Sequence, residues 1–251
     1  RAVVRGMKGN GPVTIKSATS DQLYKDYLPF SAHPELPVYD GELTMDVHGS
    51  GCYTSQAAMK LYNRQNEHLA DAAERASVVS EWLGAAAYPS ERLTDAWRRV
   101  VLHQFHDDLP GTCIPRAYEF SWNDELLSLK KFSDVLGNSV HAVANDMDTR
   151  VKGTPVVLFN SNAFENSDVV EIELPVTSPV GSVKVVDAYG KKVPAQLLGC
   201  EDGKAKVALE AEVPAVGFTV YGVSFGKGGQ AAKKAPAASR IENSVYALTV
   251  D

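Results

Sequence analysis

Apolar residues return every three or four positions from Thr54 to Asn145, and after Thr149 they fall instead into short β-branched and aromatic runs. A side chain repeats its direction about every 3.6 residues on a helix and every two on a strand, so one stretch cannot serve both periods. The switch near residue 149 therefore predicts a multidomain α+β protein with a helical part followed by a β part. The chain has 251 residues, 44% of them hydrophobic and 22% charged, which is enough for two ordinary domains with cores of their own.

In the helical part, Ala57, Ala58, Leu61, Leu69, Ala72, Ala73, Ala76, Val79 and Leu83 mark one face of a first helix over Thr54 to Ala87, stopped by Tyr88-Pro89. Ser90 is placed to N-cap a second helix, with Leu93, Ala96, Trp97, Val100, Val101 and Gln104 inward and Pro110-Gly111 ending it. A third starts near Ile114 or Ser121 and runs to Asn145, burying Trp122, Leu126, Leu129, Phe132, Val135, Leu136, Val140 and Val143. Trp82, Trp97 and Trp122 sit at helical spacing and are expected in the core. Short connections between long helices predict a three-helix antiparallel bundle over residues 46–149.

The runs Val156 to Phe159, Val169 to Leu174, Val183 to Asp187, Ala205 to Leu209 and Phe218 to Phe225 predict a small all-β, sandwich-like domain or a half-barrel over residues 150–226. Turns are expected at Asp187 to Lys191 and at Glu201-Asp202-Gly203. Residues 227–239, rich in Gly, Ala and Lys, read as a linker, and residues 240–251 as the first strand of a further, truncated β domain with no partner strand. Residues 1–45 have too few periodic apolar positions to close a core and read as the tail of another domain. Within them a short strand is expected at Val13-Thr14-Ile15, a helix over Ser20 to Leu28 opened by Ser20 or Asp21, and a proline-containing loop from Pro29 to Asp40. Starting at Arg1 and stopping inside a strand, the chain reads as a piece of something longer.

Charge and motif content narrow the function. Lys and Arg number 25 against 31 Asp and Glu, a formal charge of −6 without a basic run, so no nucleic-acid partner is expected. No apolar run approaches the roughly 20 residues that span a bilayer. Cys52, Cys113 and Cys200 lie far apart with no Cys-x-x-Cys spacing, which argues against a disulfide framework or a structural zinc site. Gly-x-Gly-x-x-Gly, Walker and Gly-x-Ser-x-Gly patterns are lacking, so nucleotide binding and serine-hydrolase chemistry have no support.

The densest reactive cluster is His103-Gln104-Phe105-His106-Asp107-Asp108 at the end of the second helix. His103, His106 and Asp107 are three and four residues apart and are expected on one helical face. Imidazole and carboxylate are both normal ligands of a divalent zinc ion, and the same residues also suit a solvated helix C-terminus. A second candidate is the loop His48 to Gln56, whose glycines allow close approach and whose Tyr53 could stack on a sugar or base; the plainer reading is a flexible loop with Thr54 or Ser55 as N-cap.

The run Gln104-Phe105-His106-Asp107-Asp108-Leu109-Pro110-Gly111-Thr112, with Tyr53-Thr54-Ser55-Gln56 and Asn63-Arg64 about fifty residues before it, closely resembles the middle region of the zinc-dependent α-mannosidases of glycoside hydrolase family 38. Val213-Pro214-Ala215-Val216-Gly217-Phe218 looks like that family's Val-Pro-Pro-Leu-Gly-Tyr stretch. The resemblance implies the end of a catalytic domain, the three-helix middle domain and a first β domain. It implies one zinc ion in the full-length enzyme, with His106 as the ligand contributed by the bundle and Asp107 bonding mannose hydroxyls. Asp108 stands where the family varies and receives no role, and His103 falls outside the shared run as a packing or capping residue.

The implied reaction is retaining hydrolysis of terminal α-mannosides through two carboxylates. No catalytic residue is expected in this chain, because the family's nucleophile, acid/base and remaining zinc ligands belong to a domain upstream. The implied partner is a mannose-containing oligosaccharide or glycan. A trailing β domain leaves a homo-oligomer open. Where bacterial relatives read His-Arg-Gly-Thr-Tyr-Thr, Gly49-Ser50-Gly51-Cys52-Tyr53-Thr54 departs from the pattern. That departure keeps an alternative in view, a non-catalytic carbohydrate-binding or interaction protein on the same bundle and β scaffold.

Overall fold

A computed structural model describes residues 2–42, 49–227, 240–242 and 245–249. The chain divides into two compact units, Arg1–Ser50 and Gly51–Asp251. The first holds helices α1 (Ala2–Met7) and α2 (Gln22–Asp26) and a single 3-10 turn over Phe30–Ala32. Asp21 stands at the N-cap position of α2, but its side chain makes no cap bond and pairs with Lys25. The strand expected at Val13-Thr14-Ile15 does not form. A lone extended segment needs a neighbour for its backbone groups, and here the Ile15 N–H donates to the Gly6 carbonyl (3.3 Å).

The second unit begins with helices α3 (Ala57–Trp82), α4 (Ser90–His103) and α5 (Pro115–Asp146), and Pro115 suits the first turn because its ring presets a helical φ. Gln104 reaches Asn63 and Trp97 reaches Glu74, so α3 and α4 run in opposite senses. Arg99 meets Asp124 and Ser128 meets Ala96, which makes α5 antiparallel to α4 and parallel to α3. The shared core is Ala70, Ala73, Leu93, Ala96, Val100, Phe132 and Val135, with Trp97 set edge-on to Phe132 at 5.5 Å.

The buried stripes differ from the periodic reading. Leu61, Val101 and Leu126 are exposed, while Asn63, Asn66, Ser77 and Ser80 of α3 and Ser121, Glu125, Ser128 and Ser139 of α5 are buried. Small side chains let the helices approach closely, and most of these polar groups bond across the seam, as Ser77 does with Ser139 at 3.0 Å. Of the tryptophans, Trp97 packs against the core, whereas Trp82 is 83% exposed and Trp122 37%. Helix starts also shift: Gln56, with a left-handed φ of 50°, holds the N-cap position of α3 in place of Thr54 or Ser55, and α4 begins one residue early, with Pro89 rather than Ser90 at its N-cap position.

Two open sheets follow, ordered β1-β7-β3-β4 and β2-β6-β5, all pairs antiparallel. Their strands are β1 (Thr154–Asn160), β2 (Asn166–Pro175), β3 (Ser182–Val186), β4 (Lys192–Val193), β5 (Ala195–Glu201), β6 (Lys204–Val213) and β7 (Gly217–Gly226). Val185, Tyr221 and Val223 from one sheet pack on Leu209 and Ala211 from the other. Two separate sheets facing each other across a shared core make a sandwich, where a half-barrel would be one continuous curled sheet. On β6, Ala205, Val207, Leu209, Ala211 and Val213 point inward between exposed Lys204, Lys206, Glu210 and Glu212, the alternation a one-sided sheet requires.

Both expected turns form. Gly190 at φ 84° closes β3 to β4, and Asp202 and Gly203 at φ 49° and 72° make the tight link from β5 to β6. Strands β4 and β5 escaped the sequence reading because β4 has two residues and β5 no β-branched residue, and its register shifts between Leu197 and Gly199. The Arg75 guanidinium of α3 donates to the Ser161 carbonyl at 2.6 Å, tying bundle to sandwich. The chain past Gly226 holds a hairpin of β8 (Arg240–Glu242) and β9 (Ala247–Thr249) instead of one unpartnered strand. Beyond Lys227 the expected linker lies outside the described residues. Among the described residues, no helix is long and apolar enough to cross a membrane.

Candidate functional site

Helix α4 ends at His103, so His106 and Asp107 lie in the turn that follows and do not share a helical face with His103 as the spacing predicted. Pro110 and Gly111, at φ 88°, cannot continue a helix, and the backbone folds on itself before them. The Asp108 and Leu109 N–H groups donate to the Phe105 carbonyl at 3.0 and 3.2 Å, and the Thr112 and Cys113 N–H groups to that of Asp107 at 3.1 and 2.9 Å. In so tight a turn, successive side chains diverge. His106 and Asp107 point to solvent, with side chains 78% and 54% exposed and Nε2 3.8 Å from Oδ2, while Asp108 turns into the bundle.

Asp108 meets His103 there, with Oδ2 2.5 Å from Nδ1, and both its oxygens accept from the Ser121 hydroxyl at 3.0 and 2.9 Å. The other ring nitrogen of His103 lies 3.3 Å from Asp124, which also accepts from Arg99 at 2.5 Å. The Tyr118 phenol accepts from the Cys113 N–H (3.0 Å) and lies 3.4 Å from the carbonyls of Asp107 and Asp108. Burial raises the pKa of that phenol, and burial followed by the nearby Asp108 and Asp107 carboxylates raises that of the Cys113 thiol.

Ser55, from the second sequence candidate, is brought against the same turn. Ser50–Tyr53 forms a 3-10 turn, and the Ser55 hydroxyl donates to the Gly111 carbonyl at 3.2 Å. The Lys60 ammonium donates to the carbonyls of Ser55 (2.5 Å) and Leu109 (2.7 Å), and partial burial lowers its pKa. Asn63 is buried and links Gln104 (3.0 Å) to Glu67 (3.1 Å), whose carboxyl Arg64 holds below its ordinary pKa. Tyr53 is exposed, and His48 falls outside the described residues. Sequence reasoning passed over Lys60, Tyr118 and Ser121, whose partners are up to 49 residues away along the chain, beyond any local period.

Imidazole and carboxylate side by side at an exposed bundle end can serve as part of a divalent-metal or sugar-hydroxyl site. Among the described residues, no group of three or more His, Cys, Asp or Glu could hold a metal by itself. The α-mannosidase middle domain family matches residues 48–152, the stretch that contains the bundle and this turn. Over those residues the chain carries an α-mannosidase middle domain. An α-mannosidase of Saccharomyces cerevisiae is 36% identical over 126 residues, covering 47% of this chain and 11% of that protein. Alpha-mannosidase G of Dictyostelium discoideum is 30% identical over 180 residues, 63% of this chain and 16% of the relative.

Two solved Enterococcus faecalis structures share the fold at 17% identity. One is an α-mannosidase, with a TM-score of 0.63 over 91% of this chain and 31% of its own. The other is a protein in glycosyl hydrolase family 38, with a TM-score of 0.65 over all of this chain and 33% of its own. The chain thus spans between a tenth and a sixth of those two curated relatives and about a third of the solved chains.

Proposed function

We propose that this chain is the middle part of a retaining α-mannosidase acting on terminal α-mannosides of oligosaccharides or glycans, in which His106 is a zinc ligand and Asp107 bonds hydroxyls of the bound mannose. The observation that carries this reading is the outward turn at the bundle end, where the family-like run presents an exposed imidazole and an exposed carboxylate side by side. The donor set fits zinc, which takes neutral imidazole and carboxylate oxygen. With no closed set among the described residues, the remaining ligands belong to the rest of the enzyme. Zinc, when bound, supplies a Lewis-acid centre that holds ring hydroxyls.

The work of this chain is placement. His106 offers its ring to the metal, Asp107 accepts hydrogen bonds from the sugar, and the nucleophile and acid/base carboxylates of a retaining glycosidase come from outside this segment. The test is His106→Ala in the full-length protein. Zinc content and turnover of an aryl α-mannoside are both expected to collapse, and unchanged zinc content would overturn the assignment. A folded full-length protein inactive on every α-mannoside with zinc added would point instead to a binding scaffold.

A further inference from the structure

Resting on that assignment of His106 and Asp107, we infer that Asp108 is a positioning residue, the clamp that fixes the orientation in which the turn offers its two neighbours. His106 has little to hold it directly: its ring stacks on the exposed Phe105 at 4.1 Å and stands 3.8 Å from Asp107. Its direction is therefore set by the backbone of the turn. A metal or sugar ligand must be held to within about 0.5 Å to be productive, and a loop reaches that only when other groups lock it.

Asp108 supplies the lock. It is 8% exposed and joins three elements, receiving Ser121 of α5, facing His103 of α4, and knitting the turn through its own N–H and carbonyl. Tyr118 and Lys60 hold the flanking carbonyls, and Gly111 is pressed on Ser55 so closely that an added Cβ would lie 2.6 Å from its hydroxyl. Truncating Asp108 leaves a His103 nitrogen buried without its carboxylate partner and the Ser121 hydroxyl with only the Ala117 carbonyl (3.1 Å), and removes the bond that turns the side-chain sequence out, out, in.

The experiment compares Asp108→Ala, Asp108→Asn and Ser121→Ala with Val143→Ala, a core truncation at the far end of α5, all in the full-length protein. Zinc affinity is read by chelator competition, and backbone mobility by amide hydrogen exchange over residues 105–113. Asp108→Ala is expected to weaken zinc by about 10- to 100-fold, the usual effect of losing an outer-shell partner, and to accelerate exchange in the turn. Asp108→Asn, which keeps an acceptor for Ser121, recovers most of both. Val143→Ala lowers Tm without changing either.

Exchange over 105–113 that stays at the wild-type rate in Asp108→Ala, or rises no more than in Val143→Ala at equal loss of Tm, overturns the clamp. If Asp108→Ala does not fold, Ser121→Ala carries the same comparison through the loss of one hydroxyl. Should the wild-type protein bind no zinc while Asp108→Ala still accelerates exchange in the turn, the clamp stands and the assignment of His106 falls.

Discussion

Glu125 has no exposed surface and lies against Asn66, whose amide donates to its Oε2 at 2.5 Å and to its backbone carbonyl at 3.0 Å. Burial disfavours the charged carboxylate and pushes its pKa up to about 7, against the opposing pull of Asn66 and His103. The native state therefore keeps a proton that the unfolded chain has released above its ordinary value of 4.5. This contribution to stability is fully present below that value, falls as pH rises toward about 7, and is gone above it. Denaturant titrations from pH 4 to 8 are expected to show that slope in wild type and a flatter one in Glu125→Gln, with the variant the more stable at pH 8. Parallel slopes would rule out Glu125 as their source. Gly111 offers a second test at this scale. Its φ of 88° and its contact with Ser55 mean that Gly111→Ala adds strain of about 1–3 kcal/mol as well as a steric clash, to be read as a lower Tm.

At the scale of elements, the shared core of the bundle sets an aromatic pair among small residues. Phe132 of α5 is fully buried, with Trp97 of α4 edge-on to it and Ala70 and Ala73 of α3 in the same cluster. The neighbouring alanines have no side chain long enough to fill the space, so Phe132→Ala is expected to lower unfolding free energy by about 3–5 kcal/mol, measured by urea titration. The helices were legible in the sequence as periodic segments, and so was Phe132 as an inward residue. Glu125 and Ser128 were not, because a period built from apolar residues ignores polar ones that occupy the same seam by bonding across it. Val101 and Leu126 failed in the opposite sense: each lies beside the buried stripe, where one step of about 100° carries a side chain out.

At the scale of the molecule, one end of the bundle collects both candidate segments, the loop before α3 and the turn after α4, while the sandwich adds a core of its own. The chain offers an exposed imidazole and carboxylate and, among its described residues, no metal-holding group of three. Produced by itself, it is expected to show no turnover of an aryl α-mannoside. Activity that survives contaminant controls and disappears in His106→Ala would contradict this.

The amino-acid sequence by itself determined the order of helical and β parts, the three long helices, most of the strands, two tight turns and the family-like run at Gln104 to Thr112. Each of these is local, decided by a backbone period, by a glycine or proline that limits φ, or by a short string of residues. Only the tertiary structure decided that α4 stops at His103, that Asp108 rather than Asp107 meets that histidine, and that β8 pairs with β9. Those outcomes depend on which distant groups satisfy one another once water is excluded. Asp108 turns inward because Ser121, 13 residues later on another helix, gives its carboxylate a partner, and its turning leaves His106 and Asp107 facing out.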